Sequence, residues 1–402
     1  MTGTTVPNDG IRPRVLFLNS CVSGGGAGRS LTAYFEHAGQ ELDAHVVLPE
    51  QGVIGPKIAT AAELHEMPEF VERPLNPPYT RLRNLPILDL LGGIAALGVA
   101  TRKIAKLARK LKPDVIYCNH MLAKPVGAMV GTLLRIPVVF HARNIHENHW
   151  LERRFYQWLG RRKAVKLILA NSAATAKTYR DAAPEKVHVV HNFADLSRFD
   201  RSHVTPGLRR ELNLASDTPV IGFVGRLAAW KGVGVLIEAF AQIQARFPKA
   251  RLVIVGDNDN SRRRNLRAEY EALANRLGVG ERTHFLGFRD DVRPVMVDFD
   301  VIALPSTAPE PFGRVLVEGM ALGVPPVITA HGGAVEVVTD GVDGLWAAPN
   351  DAADFSRKLA TMLTEPERRK AMGTAGAKAV RERFDGHAIA AKITRLVAEV
   401  AV

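Results

Sequence analysis

Two carboxylates, Glu310 and Glu318, stand eight residues apart in the run Pro309-Glu310-Pro311-Phe312-Gly313-Arg314-Val315-Leu316-Val317-Glu318-Gly319. That spacing is slightly over two helical turns. Gly313 marks a helix start between them, so Glu310 is expected in the preceding loop and Glu318 on the helix's second turn. The amides from Phe312 to Val315 then lack intrahelical partners and can meet hydroxyl or phosphate oxygens. Upstream, Gly225-Arg226 closes a strand-like run and Lys231-Gly232 opens a helix. Two cations on one short loop at a sheet's C-terminal edge suit a diphosphate, and both are expected to face solvent.

A second anion-binding candidate is Ser23-Gly24-Gly25-Gly26-Ala27-Gly28-Arg29-Ser30. A Walker A loop needs Gly at 23 and Lys at 29, where this chain has Ser and Arg. The dinucleotide pattern fails at its third glycine, where Arg29 stands. What survives is a glycine-rich turn into a helix, whose bare amides let an anion or a sugar approach at Gly25 and Gly26, or which is simply a tight turn. His141 ends a strand-like run and reads either as a structural histidine or as a ligand contact. Asp257-Asn258-Asp259 has the form of a metal-holding D-x-D pair, but Arg262, Arg263 and Arg264 follow it. Cations are poor company for a metal, so it reads as a strand-to-helix turn and no metal is expected.

These residues need a scaffold, and the chain repeats one rhythm: a short apolar run, a turn, a helical stretch. Arg14–Asn19, Ala44–Leu48, Asp114–Cys118, Ile136–Phe140 and Lys166–Ala170 form a first series of strands. Pro219–Gly225, Arg251–Val255, Thr283–Leu286, Asp300–Leu304 and Pro326–Thr329 form a second. Runs without polar alternation belong to strands buried on both faces, hence to parallel sheets with helices on either side. The polar stretch Asp195–Asp217 divides the series. The expectation is an α/β chain of two doubly wound, Rossmann-like domains facing across a cleft, with ligands at the C-terminal ends of the strands. Residues 1–197 form the first domain, 198–384 the second, and 385–402 a C-terminal helix that crosses back to the first.

Taken together, these motifs carry a resemblance. Gly225-Arg226 with Lys231-Gly232, the two glutamates, Ala321-Leu322-Gly323-Val324-Pro325 and Gly332-Gly333-Ala334-Val335-Glu336 resemble the second domain of glycosyltransferase family 4, retaining nucleotide-sugar enzymes of the GT-B fold. Gly24–Ser30, Phe140-His141 and Asn171-Ser172-Ala173-Ala174-Thr175-Ala176-Lys177 are similar to its first domain, so the likeness covers nearly the whole chain. Ala27-Gly28-Arg29, where members often have Ala-Glu-Arg, and Pro326, which doubles the usual Gly-x-Pro, depart from the pattern.

The resemblance implies a retaining, metal-independent hexosyltransferase with a nucleotide-diphosphate sugar as co-substrate and no further cofactor. Arg226 and Lys231 would hold the diphosphate, and Glu318 the ribose hydroxyls. Glu310 and the amides of Phe312, Gly313, Arg314 and Val315 would grip the transferred sugar, with His141 reaching it from the opposite lobe. Gly25 and Gly26 join the donor contacts. Retention in the family is described as same-face attack, the leaving phosphate drawing the acceptor proton. The acceptor is expected to be a hydroxyl of polysaccharide or glycolipid assembly in the cell envelope, seen by the first lobe and notably Met67–Arg83. Loops near Gly256 and Gly287, with Phe288 and Arg289, would select the base.

Composition bounds the alternatives. The 402 residues, 47% apolar and 23% charged, describe a globular chain, and two cysteines, Cys21 and Cys118, build neither a disulfide framework nor a zinc cage. The polar start, Met1–Arg14, does not resemble a secretory signal, so a cytoplasmic location is expected. Leu85–Thr101 falls short of a membrane span. It runs into Arg102, Lys103, Lys106, Arg109, Lys110 and Lys112, which read either as the solvated face of an amphipathic helix or as a basic surface for anionic lipid at the inner face of the plasma membrane. The net charge of +12 suggests nucleic acid, yet aromatic residues are only 6% and no nucleic-acid module is present, so none is expected as a partner. A sugar-nucleotide epimerase of the same fold and a non-catalytic sugar-nucleotide-binding protein remain as alternatives.

Overall fold

The computed structural model describes residues 12–20, 26–38, 41–70, 87–146, 150–258 and 265–401, with backbone alone for 87–94. Gly25, Cys21, Asp259, Arg262–Arg264 and residues 71–83 of the proposed acceptor segment lie outside these.

The chain divides into two compact units, residues 1–191 with 386–402, and residues 192–385. The first holds β1 (Arg14–Leu18), β2 (Asp43–Leu48), β3 (Glu63–Glu66), β4 (Val115–Cys118), β5 (Val138–Ala142), β6 (Val165–Ala170) and β7 (Val187–Val189). Its helices are α1 (Gly26–Ala38), α2 (Gly55–Ile58), α3 (Ile87–Leu111), α4 (Ala123–Leu134), α5 (Trp150–Gly160) and α6 (Ala173–Arg180). The strands are parallel in the order β3-β2-β1-β4-β5-β6-β7. Winding runs one way from β1 and the other from β4, so the switch point lies between them, where ligands of open α/β sheets bind.

The second unit opens with α7 (Leu208–Glu211) and contains β8 (Val220–Val224), α8 (Val233–Ile243), β9 (Arg251–Val255), α9 (Leu266–Arg276), β10 (Thr283–Gly287), α10 (Arg293–Met296), β11 (Val301–Leu304), α11 (Arg314–Ala321), β12 (Pro326–Thr329), β13 (Leu345–Ala347), α12 (Ala352–Thr364) and α13 (Pro366–Arg383). Its parallel sheet has the order β10-β9-β8-β11-β12-β13, with the switch between β8 and β11. Both faces are covered. One core gathers Phe223, Phe240, Ile254 and Phe355, and the other Val220, Val253, Ile302 and Met296. The central strands are apolar throughout because neither face meets water.

The chain then returns to the first unit as α14 (Gly386–Ala401), which packs on α1, β4 and β6. Tyr34 and Thr394 hydroxyls meet at 2.8 Å there. The division at 191/192 precedes the expected 197/198. The polar stretch placed at the boundary is not a linker: Leu208 is fully buried, and Phe199, Val204, Leu212 and Leu214 pack on the second unit's core. Arg209 secures this stretch to Asp298 and Asp300. Among the described residues no helix is long and apolar enough to cross a membrane.

Candidate functional site

The second unit's expected residues collect at its switch point. Arg226 follows β8 and is exposed. Its loop is pinned by Leu227, fully buried, whose amide donates to the Asp257 carbonyl at 2.9 Å. A 3-10 turn, Ala229–Lys231, then leads into α8 through Gly232 at φ 72°. A side chain at 232 would place its Cβ 1.8 Å from the Pro305 carbonyl oxygen, so only glycine lets this loop lie against the exit of β11.

That close approach brings Lys231 to Glu310. Nζ donates to Oε2 at 2.5 Å, with side chains only 16% and 9% exposed. The Ser306 hydroxyl donates to the same oxygen at 3.3 Å, and the Trp230 ring lies 4.3 Å beneath the ammonium. The expectation that both cations face solvent therefore holds for Arg226 and not for Lys231. Lys231 is the counter-ion of the carboxylate with which it was expected to share a substrate. Glu310 is held from behind as well, since it bridges Gly332 and its carbonyl accepts from the Gly333 amide at 2.6 Å. His331 Nε2 reaches the Ser306 carbonyl at 2.8 Å.

Gly313, at φ 86°, starts α11, and no side chain caps that end. Within that first turn the Leu316 amide donates to the Gly313 carbonyl at 2.9 Å. Phe312 is 1% exposed and packs edge-on against Phe384 at 5.5 Å between centroids. Its ring faces the core, so only its backbone is available to a ligand. Val315 joins the core side of the same turn. Glu318, 5% exposed, accepts from Arg314 Nη2 at 3.2 Å, one helical turn away. Asp257 and Asn258 are engaged in fixing their loop: Asp257 Oδ1 accepts from the Asn258 amide, and Asn258 Oδ1 from the Arg267 amide. Phe288, expected near the base, is exposed, and Arg289 pairs with Glu211 at 2.5 Å.

In the first unit Gly26 begins α1, and a Cβ there would meet nothing within 4 Å. His141, on β5, is 2% exposed. Its Nδ1 faces two donors, the Tyr117 hydroxyl and Arg143 Nη2, the latter at 3.1 Å. A nitrogen that accepts from both carries no proton, so the proton sits on Nε2. Among the described residues, buried Nε2 has no hydrogen-bond partner. Burial, then the charges of Arg143 and Lys124, hold the imidazole well below its usual pKa. It is therefore a neutral donor. Arg143 in turn bonds Asn119 Oδ1 at 3.0 Å, and Asn119 Nδ2 bonds Asn19 Oδ1 at 3.0 Å and the Ala27 carbonyl at 3.2 Å. Asn19 and Asn119 both stand just past strand ends at the switch between β1 and β4. Sequence reasoning missed Tyr117, Arg143, these asparagines, Ser306 and His331. The repeated strand-final Asn was the signal available.

Known proteins resemble both halves. The model of Glycosyltransferase Family 4 matches residues 25–198, and that of Glycosyl transferases group 1 matches residues 205–379. A D-inositol 3-phosphate glycosyltransferase of Corynebacterium efficiens is 30% identical over 303 residues, covering 71% of each chain. The counterpart in Corynebacterium aurimucosum is 32% identical over 279 residues, 65% of this chain and 66% of the relative. Among solved structures, Anabaena HepE in complex with UDP-glucose superposes with a TM-score of 0.79 at 27% identity, covering 96% of this chain and 99% of that one. Two parallel-sheet units, the switch-point cluster and these likenesses agree: the chain belongs to glycosyltransferase family 4 and is a glycosyltransferase of the GT-B fold.

Proposed function

We propose that the chain is a retaining glycosyltransferase that moves a hexose from a nucleotide-diphosphate sugar to a hydroxyl of a saccharide or glycolipid acceptor in cell-envelope assembly. The observation that carries this reading is the cluster between β8 and β11, where Arg226, the Lys231–Glu310 pair and the uncapped start of α11 share one sheet edge. Arg226 and Lys231 hold the diphosphate and stabilise the charge that gathers on it as the glycosyl bond breaks. A diphosphate that draws Lys231 toward itself frees Glu310 to accept from sugar hydroxyls. Glu318 takes the ribose hydroxyls. In the first unit, His141 Nε2–H donates to a substrate hydroxyl.

During transfer the bond from the anomeric carbon to the diphosphate oxygen breaks, and the acceptor oxygen bonds the same carbon on the same face. The acceptor proton passes to the departing phosphate. The side chains at the switch point supply cationic charge, so no metal is required in this reading. HepE was solved with UDP-glucose, which supports a nucleotide-sugar donor, and a lipopolysaccharide core biosynthesis glycosyltransferase of Rhizobium meliloti is 31% identical over 232 residues, which supports envelope chemistry.

A thermal-shift series of nucleoside diphosphates, run with and without EDTA, tests the donor half. A ligand at 100 times its Kd adds about 2.7 kcal/mol, and one diphosphate should shift the melting point regardless of chelator. Sugar released from the matching donor only when an acceptor is present separates transfer from epimerisation. Conversion without acceptor, or no response to any diphosphate, overturns the proposal.

A further inference from the structure

Among the described residues, eleven large apolar side chains are exposed, and seven of them lie on α3, α4 and α5. These helices cover one face of the first unit's sheet, and their inward residues share a single core. Four are on α5 alone: Trp150, Leu151, Phe155 and Trp158, exposed by 65, 58, 44 and 51%. Leu151, Phe155 and Trp158 follow the i, i+4, i+7 spacing of one helical stripe, and Trp150 adjoins it. The other side of α5 buries Tyr156, Leu159 and Gly160. The apolar surface of α5 is thus wider than the face the core covers, with Arg153, Arg154 and Gln157 on the remaining side, so its open stripe calls for a cover.

The rim identifies the cover. Exposed Arg154, Arg161, Arg162 and Lys163 surround the stripe. The Arg162 guanidinium stacks on Trp158 at 4.8 Å. The one acid of the helix, Glu152, is turned to His146 at 3.1 Å. On the same layer α3 exposes Arg102, Lys106, Arg109 and Lys110, whereas Lys103 is paired with Glu69 at 2.5 Å. A second copy docked symmetrically on this face would set these cations against themselves. A surface of lipid phosphates takes them all, and tryptophan beside arginine is the composition that settles at a headgroup boundary.

We propose that α5 docks the first unit on an anionic lipid surface, with Trp150, Leu151, Phe155 and Trp158 entering the headgroup region and the flanking cations meeting lipid phosphate. The basic run 102–112, expected from the sequence to do this by charge, becomes the outer part of a surface centred on α5. The inference stands apart from the donor assignment.

Full-length protein is sedimented with vesicles of phosphatidylcholine alone and of phosphatidylcholine with an equal part of phosphatidylglycerol, while tryptophan emission is followed. Binding to the anionic vesicles only, with a blue-shifted emission, is expected. The triple variant Trp150→Ser, Phe155→Ser, Trp158→Ser should bind at least tenfold more weakly, and Arg154→Glu with Arg162→Glu likewise, while the melting shift caused by the responding nucleoside diphosphate stays unchanged. Charge reversal at Lys106, Arg109 and Lys110 should weaken binding about threefold. Equal partition of wild type and both α5 variants, recovery of wild type in the supernatant with either lipid, or a dimer that the triple variant dissociates in place of vesicle binding overturns the proposal. Should the triple variant fail to fold, the exposed arginine pair decides by itself.

Discussion

At its switch point the second unit gathers opposite charges in pairs, Lys231 with Glu310 and Arg314 with Glu318, each largely out of water. The first unit, with the same parallel architecture, builds its switch point from neutral amides, a phenol, an imidazole and one guanidinium, joined in a chain from Tyr117 to Asn19. Under the proposed function the difference is one of chemical task. A diphosphate carries fixed charge that gathers during bond cleavage, and buried charges answer it strongly. A hydroxyl carries none, and a neutral donor such as His141 Nε2–H recognises it without drawing in a counter-ion.

The sharpest way to break this contrast is to remove the cations. Alanine at Arg226 or at Lys231 should lower turnover by about a hundredfold or more. Their stabilities should diverge. Arg226 is exposed, so its loss should leave the melting point in place, whereas Lys231→Ala strands a buried carboxylate at a cost of about 3–5 kcal/mol. Adding Glu310→Gln to Lys231→Ala should restore part of that loss. Near-normal turnover in both single variants would remove the clamp from this loop. The glutamates come next: Glu318→Ala should weaken donor binding by roughly tenfold with turnover nearly kept, because ribose contacts persist from ground to transition state, while Glu310→Ala should mainly depress turnover. Equal effects of both on binding and rate would show their roles to be misassigned.

A smaller effect tests the first unit. His141→Phe should reduce turnover by about tenfold, and the wild-type pH profile should show no ionisation near 6.5 that this variant abolishes, because burial and the charges of Arg143 and Lys124 hold the imidazole well below its usual pKa. An inflection near 6.5 lost in His141→Phe would contradict the neutral donor. The smallest effect concerns stability alone. Burial pushes the Lys124 ammonium, 1% exposed and set between the Tyr156 and Tyr179 rings, down to about 7. Between about pH 7 and 10.5 the unfolded chain holds a proton the folded chain has released, so this group makes stability rise with pH there; below 7 its burial cost is full and constant. Lys124→Met should therefore be more stable than wild type at pH 7, with an advantage that shrinks toward pH 10. Denaturant melts across that range check the sign.

Where the sequence was readable follows from burial. Every central strand, from Val115–Cys118 to Pro326–Thr329, announces itself because both faces lack water. The short outer strands β3, β7 and β13 went unread: Glu63–Glu66 and Val187–Val189 mix polar and apolar residues, as edges that meet solvent do, and Leu345–Ala347 spans three residues. At the site, residue types and local spacing were legible, including Glu310 before the helix and Glu318 on it. The pairing of Lys231 with Glu310 was not, since those residues lie 79 positions apart and meet only through the Gly232 approach to Pro305. Likewise Tyr117 and His141 belong to adjacent strands whose register no local pattern states.

The return of the chain at Gly386 makes the first unit discontinuous, so the order of synthesis and the order of completion are reversed. The ribosome releases residues 192–385, a full sheet with both cores, while the earlier-made unit still lacks the helix that covers α1. Until α14 arrives, the apolar side of α1 and the Tyr34 hydroxyl have no cover from that helix. The fit is close: a side chain at 386 would press its Cβ to 2.6 Å from the His37 ring. A nick near residue 385 would thus leave the second unit whole and uncover α1 in the unit made first.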